Sequence, residues 1–116
     1  QSVQFQGPHP DEEFCTAIAD IISKHRELLS HSQLLKGILW DYFPTRKREI
    51  NILMTYVDYG MLNEINQVPA IDAMLVERYV TRIVNEYGID KELAAEMALV
   101  WCRGYGESVL GKNVVK

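Results

Sequence analysis

Two cysteines and one histidine are the side chains in this sequence best suited to metal binding or nucleophilic catalysis. Cys15 and Cys102 lie far apart and form no Cys-x-x-Cys pair, and His25 is close in sequence to neither of them. A preorganised zinc site needs ligands at short, regular spacing. Cys102 also follows Val100 and Trp101 in an apolar segment, where a thiol is not activated as a nucleophile. We therefore expect core thiols, a satisfied or semi-buried His25, no bound metal and no cofactor.

Two other segments could in principle do chemistry. Asp11, Glu12 and Glu13 form a carboxylate cluster, but they fall in the first turn of a predicted helix, where the helix dipole favours negative charge. The segment 103–108, RGYGES, is rich in glycine but has neither the lysine nor the preceding strand of a phosphate-binding loop. We interpret it as a loosened C-terminal end, and we expect no catalytic residue in this chain.

Three consecutive cations, Arg46, Lys47 and Arg48, follow the turn that contains Phe43 and Pro44. Cations in a first helical turn oppose the dipole, at a cost of about 0.3–1 kcal/mol each. One interpretation is a solvated helix end whose charge is offset by a neighbour such as Asp41 or Glu49. The other is a docking point for an acidic surface or a phosphate, because an apolar tip beside arginines is the composition that interface hot spots favour. These five residues are the candidate partner-binding site.

Apolar residues recur every three or four positions from Pro10 onward, and this spacing predicts helices throughout. The first helix should cover 11–29, with a flexible lead-in at 1–10 and a tail at 112–116. In the lead-in, Phe5-Gln6-Gly7-Pro8 resembles a viral 3C-type protease site used in expression vectors. The other predicted helices are a second between a Ser32 cap and Pro44, a third between a Thr45 cap and Gly60, and further ones at 61–66, at 70–87 and from an Asp90 cap to Trp101.

Two stretches of the chain align with each other at a shift of 45 residues: ILWDYFPTRKREINILMTYVDYG and IVNEYGIDKELAAEMALVWCRGYG. In this alignment Tyr42 falls on Tyr87 and Tyr56 falls on Trp101. Either the chain contains two pseudo-repeated helical hairpins, or this is the similarity that any two amphipathic hairpins show. Both interpretations predict the same fold class, an all-α compact bundle of five to six helices in a single domain over 11–111.

The second of these stretches resembles the closing hairpin of small helical accessory domains that recur in multidomain bacterial proteins. In those domains Tyr-Gly, a helix cap, an alanine-rich helix and a tryptophan follow in this order. The segment LLKGILWDYFPTRKREINILMTYVDYG is similar to their preceding hairpin, so the resemblance covers about 32–106. It implies an accessory or adaptor role and no catalytic activity.

Composition narrows the classes of partner. The chain has 116 residues, 47% of them hydrophobic, and a net charge of −4 that would repel a phosphate backbone. Nucleic acid is therefore not expected as the main partner. No apolar run approaches the length of a membrane span, and the unpaired cysteines favour a reducing cytoplasm.

We expect a non-catalytic adaptor that binds another protein or itself, in an oligomeric state that the sequence does not define. Two alternatives stay open. The first is a small inhibitor or regulator of another enzyme, which has the same composition. The second is a bundle that senses a ligand or cofactor, which requires a cavity lined by polar side chains.

Overall fold

The computed structural model describes residues 11–114, and most of them are helical. The predicted lead-in at 1–10 lies outside the described residues. The fold is the expected all-α bundle, with a 3₁₀ turn at Arg26–Ser30 and a π-helical segment at Cys102–Glu107. Within the described range the α-helices are α1 (Glu12–Lys24), α2 (Ser32–Tyr42), α3 (Lys47–Asp58), α4 (Met61–Gln67), α5 (Ala73–Tyr87) and α6 (Lys91–Trp101).

Aspartate side chains cap three of these helices at their N-termini. Asp11, Asp72 and Asp90 each accept a hydrogen bond from the backbone N–H three residues later, at 3.2, 2.9 and 3.0 Å. Each cap satisfies a donor that the first helical turn leaves without a partner. The cap predicted at Asp90 is confirmed, whereas α5 begins at Ala73, after its Asp72 cap, and not at the predicted position 70.

Three predicted helix ends are wrong. The first helix stops at Lys24, because His25 leaves the helical conformation and the 3₁₀ turn redirects the chain toward α2. Thr45 does not cap α3, since it lies inside the turn that the hydrogen bond from Arg46 N–H to the Phe43 carbonyl closes. Ser32 is the first residue of α2 and does not cap it.

The core lies where the hairpins α2–α3 and α5–α6 meet, with α3 packed against α6. Tyr56 on α3 donates its hydroxyl hydrogen bond to the Ala94 carbonyl of α6, at 2.7 Å. Trp101 on α6 donates its indole N–H to the Leu53 carbonyl of α3, at 2.9 Å. Both aromatic side chains are fully buried, so each satisfies its polar atom on the opposite helix.

The glycine-rich segment after α6 is part of the core, and its interpretation as a loosened end is wrong. Gly104, Tyr105 and Gly106 are buried, and the π-helical segment packs along α1. A Cβ atom at Gly104 would lie 3.1 Å from the Cys15 carbonyl oxygen, so the missing side chain allows the close approach. Glycine is used here for helix packing and not for flexibility.

Residues 112–114, which we assigned to a tail, are tied to the bundle. Strand β1 (Ala70–Ile71) pairs in parallel with β2 (Asn113–Val114). The Lys112 ammonium donates to the carbonyls of Ile65 and Val68, at 2.8 and 2.7 Å, and also to that of Asn66. These carbonyls belong to the C-terminal end of α4, where a cation is favoured by the helix dipole.

Candidate interaction surface

Arg46, the first cation of the predicted docking turn, points back onto α1. Its guanidinium lies 2.7 Å from Asp11, 3.6 Å from Glu49 and 3.9 Å from Glu13. It also sits 4.4 Å from the centre of the Phe14 ring, and its side chain is only 25% exposed. The carboxylates offset the unfavourable charge at the start of α3, so the charge of Arg46 is paired inside the fold.

The pKa of Asp11 reflects this pairing. Burial acts to raise its pKa, but the hydrogen bond from Arg46, the backbone N–H of Phe14 and the charge of Arg46 outweigh burial and lower it. For Arg46, burial acts to lower the pKa, and the bond and charge of Asp11 raise it. The pair is therefore ionised at neutral pH and links the N-termini of α1 and α3.

Phe43 is also a structural residue. It is half-buried, and its ring centre lies 4.4 Å from that of Phe14 on α1. Pro44 beside it is exposed. The apolar tip predicted for this turn is thus reduced to Pro44, because the aromatic ring is used to join the turn to the first helix.

Lys47 and Arg48 extend from the predicted site in two directions. The Lys47 ammonium lies 5.1 Å from the centre of the Trp40 ring on α2, over which Lys36 also sits, at 5.0 Å. Arg48 lies further from Trp40, toward the turn between α5 and α6. Both residues are exposed, so the structure separates them from Arg46 and gives each a different neighbourhood.

Arg48 lines a shallow, mainly apolar groove of about 450 Å³ that we call the Tyr87 groove. Tyr87, the last residue of α5, has 58% of its surface exposed. Ile89 is half-buried in the turn that follows. The complete lining is Arg48, Asn51, Ile52, Thr55, Tyr87 and Ile89.

A second arginine and a second tyrosine adjoin this groove. The Tyr59 and Tyr87 ring centres are 6.2 Å apart, and the Arg82 guanidinium lies 4.2 Å from the centre of the Tyr59 ring. The Tyr59 hydroxyl donates a hydrogen bond to Glu86, which raises the pKa of the phenol and lowers that of the carboxyl. The hydrogen bond to Glu86 and the contact with Arg82 restrict the Tyr59 ring, which lies beside Tyr87.

The side chains suited to catalysis do not form a site in the described part of the chain. Burial raises the pKa of Cys15 to about 11 and that of Cys102 to about 12, so both thiols are protonated at neutral pH. The prediction of a satisfied or semi-buried His25 is correct only in part, because its side chain is 61% exposed at the end of α1 while its Nδ1 lies 3.4 Å from the Glu27 carboxylate. Over 11–114, no three His, Cys, Asp or Glu side chains lie together as metal ligands would. That no metal or cofactor binds stays a prediction.

Sequence reasoning identified Arg48 but missed Tyr87 and Ile89. The sequence signal for Tyr87 is the internal alignment, which places it on Tyr42. In the structure both tyrosines lie at the ends of their helices and are more than half exposed. A tyrosine at the end of an amphipathic helix nevertheless has the same pattern whether it packs inward or faces solvent. Only the packing of α3 against α6 brings the turn after Tyr87 beside Arg48.

No family model, curated protein or solved structure matches this chain. The resemblance to bacterial accessory domains therefore stays a prediction, based on the two hairpin segments that suggested it. No helix among residues 11–114 combines the length and apolar character needed to cross a membrane.

Proposed function

We propose that this domain is a non-catalytic accessory or adaptor module that binds a protein partner through the Tyr87 groove. The partner is either another protein or a second copy of this chain. The observation that carries the proposal is the exposed Tyr87 beside Ile89 and Arg48. Tyrosine and arginine around a small apolar centre are the residues that contribute most to protein interfaces. The likeness to accessory domains supports the same role.

The state of the two thiols supports a non-catalytic role. A cysteine nucleophile must be a thiolate, and here burial raises the pKa of both thiols far above neutral pH. Cys102 is fully buried, and Cys15 donates weakly to the Val100 carbonyl, with the sulfur 3.9 Å from the oxygen. The two cysteines form no disulfide, which is in keeping with the cytoplasmic location that we propose.

The test is a binding titration with proteins fused to this domain or encoded beside it. We expect Arg48→Ala and Tyr87→Ala each to weaken binding by more than about tenfold, because each removes a hot-spot side chain. Met74→Ala is the matched control, since Met74 is 79% exposed and lies at the start of α5, while Tyr87 lies at its end. Equal affinity of all three variants and the parent protein would reject the Tyr87 groove as the binding surface.

A further inference from the structure

A second surface feature is a tryptophan of α2 that is flanked by two lysines. Lys36 precedes Trp40 by one turn of α2, and Lys47 reaches the same ring from the first turn of α3. Both ammonium groups lie about 5 Å from the ring centre, within the range of cation–π attraction. We call Lys36, Trp40 and Lys47 the Trp40 patch.

The charges of the Trp40 patch are not neutralised within the described part of the chain. Lys36, Lys47 and the adjacent Arg48 form no ion pair among residues 11–114. The cations with a carboxylate partner are Lys24, Arg46, Arg78, Arg82 and Arg103. In a chain with a net charge of −4, this positive cluster is a local exception, and its field favours a negatively charged group.

Trp40 also has an unmet hydrogen-bond donor. Its indole Nε1 is buried and donates to no acceptor among residues 11–114, whereas the indole of Trp101 donates to the Leu53 carbonyl. A buried donor without an acceptor costs about 1–3 kcal/mol. An acceptor that reaches this N–H would remove the cost.

The Trp40 patch and the Tyr87 groove belong to one continuous face of α3. A polar depression between α2 and α3 carries one lysine and one aspartate, and its lining is Ser32, Gln33, Lys36, Asn51, Met54, Thr55 and Asp58. Asn51 and Thr55 also line the Tyr87 groove. A single extended segment lying across α3 would therefore contact a positive end at Trp40 and an apolar end at Tyr87.

We infer that the Trp40 patch binds an acidic segment of the protein partner, a conclusion that rests on the proposed function and specifies the chemistry of that partner. Glutamate or aspartate side chains would pair with Lys36, Lys47 and Arg48. The apolar residues of the same segment would occupy the Tyr87 groove. A nucleic acid fits less well, because the net negative charge of the domain repels a long phosphate backbone beyond this small patch.

The experiment is a titration of the ¹⁵N-labelled domain with a short oligoglutamate peptide, followed through the two tryptophan indole resonances. The Trp40 resonance should shift and saturate, while that of Trp101, which is fully buried, should stay in place. The double variant Lys36→Glu/Lys47→Glu should weaken binding by at least about tenfold. Lys24→Glu/Lys91→Glu changes the net charge equally on exposed positions and should bind like the parent protein. Unchanged helical circular dichroism shows that each variant is folded.

Four outcomes of the peptide titration would overturn the inference. They are an unmoved Trp40 resonance, equal weakening in both double variants, saturation by inorganic phosphate alone, and tighter binding of oligothymidylate than of oligoglutamate. Failure here is distinguishable from failure of the proposed function. A partner protein that binds Lys36→Glu/Lys47→Glu normally but not Tyr87→Ala would refute the acidic segment and leave the Tyr87 groove as the binding surface.

Discussion

Arg46 joins the first turns of two helices through one guanidinium group. It contacts the Asp11 carboxylate that caps α1 and the Glu49 carboxylate in its own helix, and it covers the Phe14 ring. The side chains of Arg46 and Asp11 are only 25% and 18% exposed, so solvent screens this pair less than a surface ion pair. Its effect should therefore appear in the stability of the domain.

We expect Arg46→Met to lower the free energy of unfolding by about 1 kcal/mol at neutral pH. Asp11→Ala should cost about 2 kcal/mol, because it removes the helix cap as well as the ion pair. Asp11→Asn is the matched control, since asparagine keeps the capping oxygen and loses only the charge. Urea unfolding measures all three, and equal losses for Asn and Ala would contradict the capping role.

The same pair predicts a pH dependence. The pKa of Asp11 is lowered from 3.8 in the folded protein, so its contribution is fully present above pH 3.8 and is lost as the pH falls through the lower folded value. The stability difference between the parent protein and Arg46→Met should therefore shrink at a pH well below 3.8. A difference that stays constant would show that Arg46 acts through packing and not through charge.

At the scale of elements, the helices follow from local patterns and their ends do not. The three-and-four spacing and the Asp90 cap were sufficient to predict α6, and Gly60, at φ +85°, follows α3 as predicted. The break after Lys24 could not be predicted, because it depends on where α2 must pack. The glycines of the π-helical segment predicted a loop. A sequence does not show that another helix packs against these glycines too closely to leave room for a side chain.

Two glycines should respond in opposite ways to the same substitution. Gly104→Ala would place a methyl group 3.1 Å from the Cys15 carbonyl oxygen and 3.2 Å from Ile18, so we expect a loss of about 1–3 kcal/mol. Gly37 in α2 has open space around it, and Gly37→Ala should stabilise the domain by up to about 1 kcal/mol through helix propensity. Thermal unfolding compares the two variants. A neutral Gly104→Ala would show that α1 and the π-helical segment can move apart freely.

At the scale of the whole molecule, α3 separates the core from the proposed binding face. Its inner side buries Ile50, Leu53 and Tyr56. Its outer side presents Arg48 and Asn51, which line the Tyr87 groove, and Asn51 also lines the depression that reaches Lys36 of the Trp40 patch. The cationic run was visible in the sequence, but which of its members faces the core depends on the carboxylates of α1, which are distant along the chain. Sequence patterns therefore gave the region of the candidate site and not its composition.

The central claim is that a protein partner docks across the outer side of α3. The most direct measurement is a map of amide chemical-shift changes on the ¹⁵N-labelled domain when a protein fused to it or encoded beside it is added. We expect the largest changes at Arg48, Asn51 and Thr55 and at Tyr87 and Ile89. Changes concentrated on α1 and the π-helical segment, with the outer side of α3 unaffected, would contradict the account.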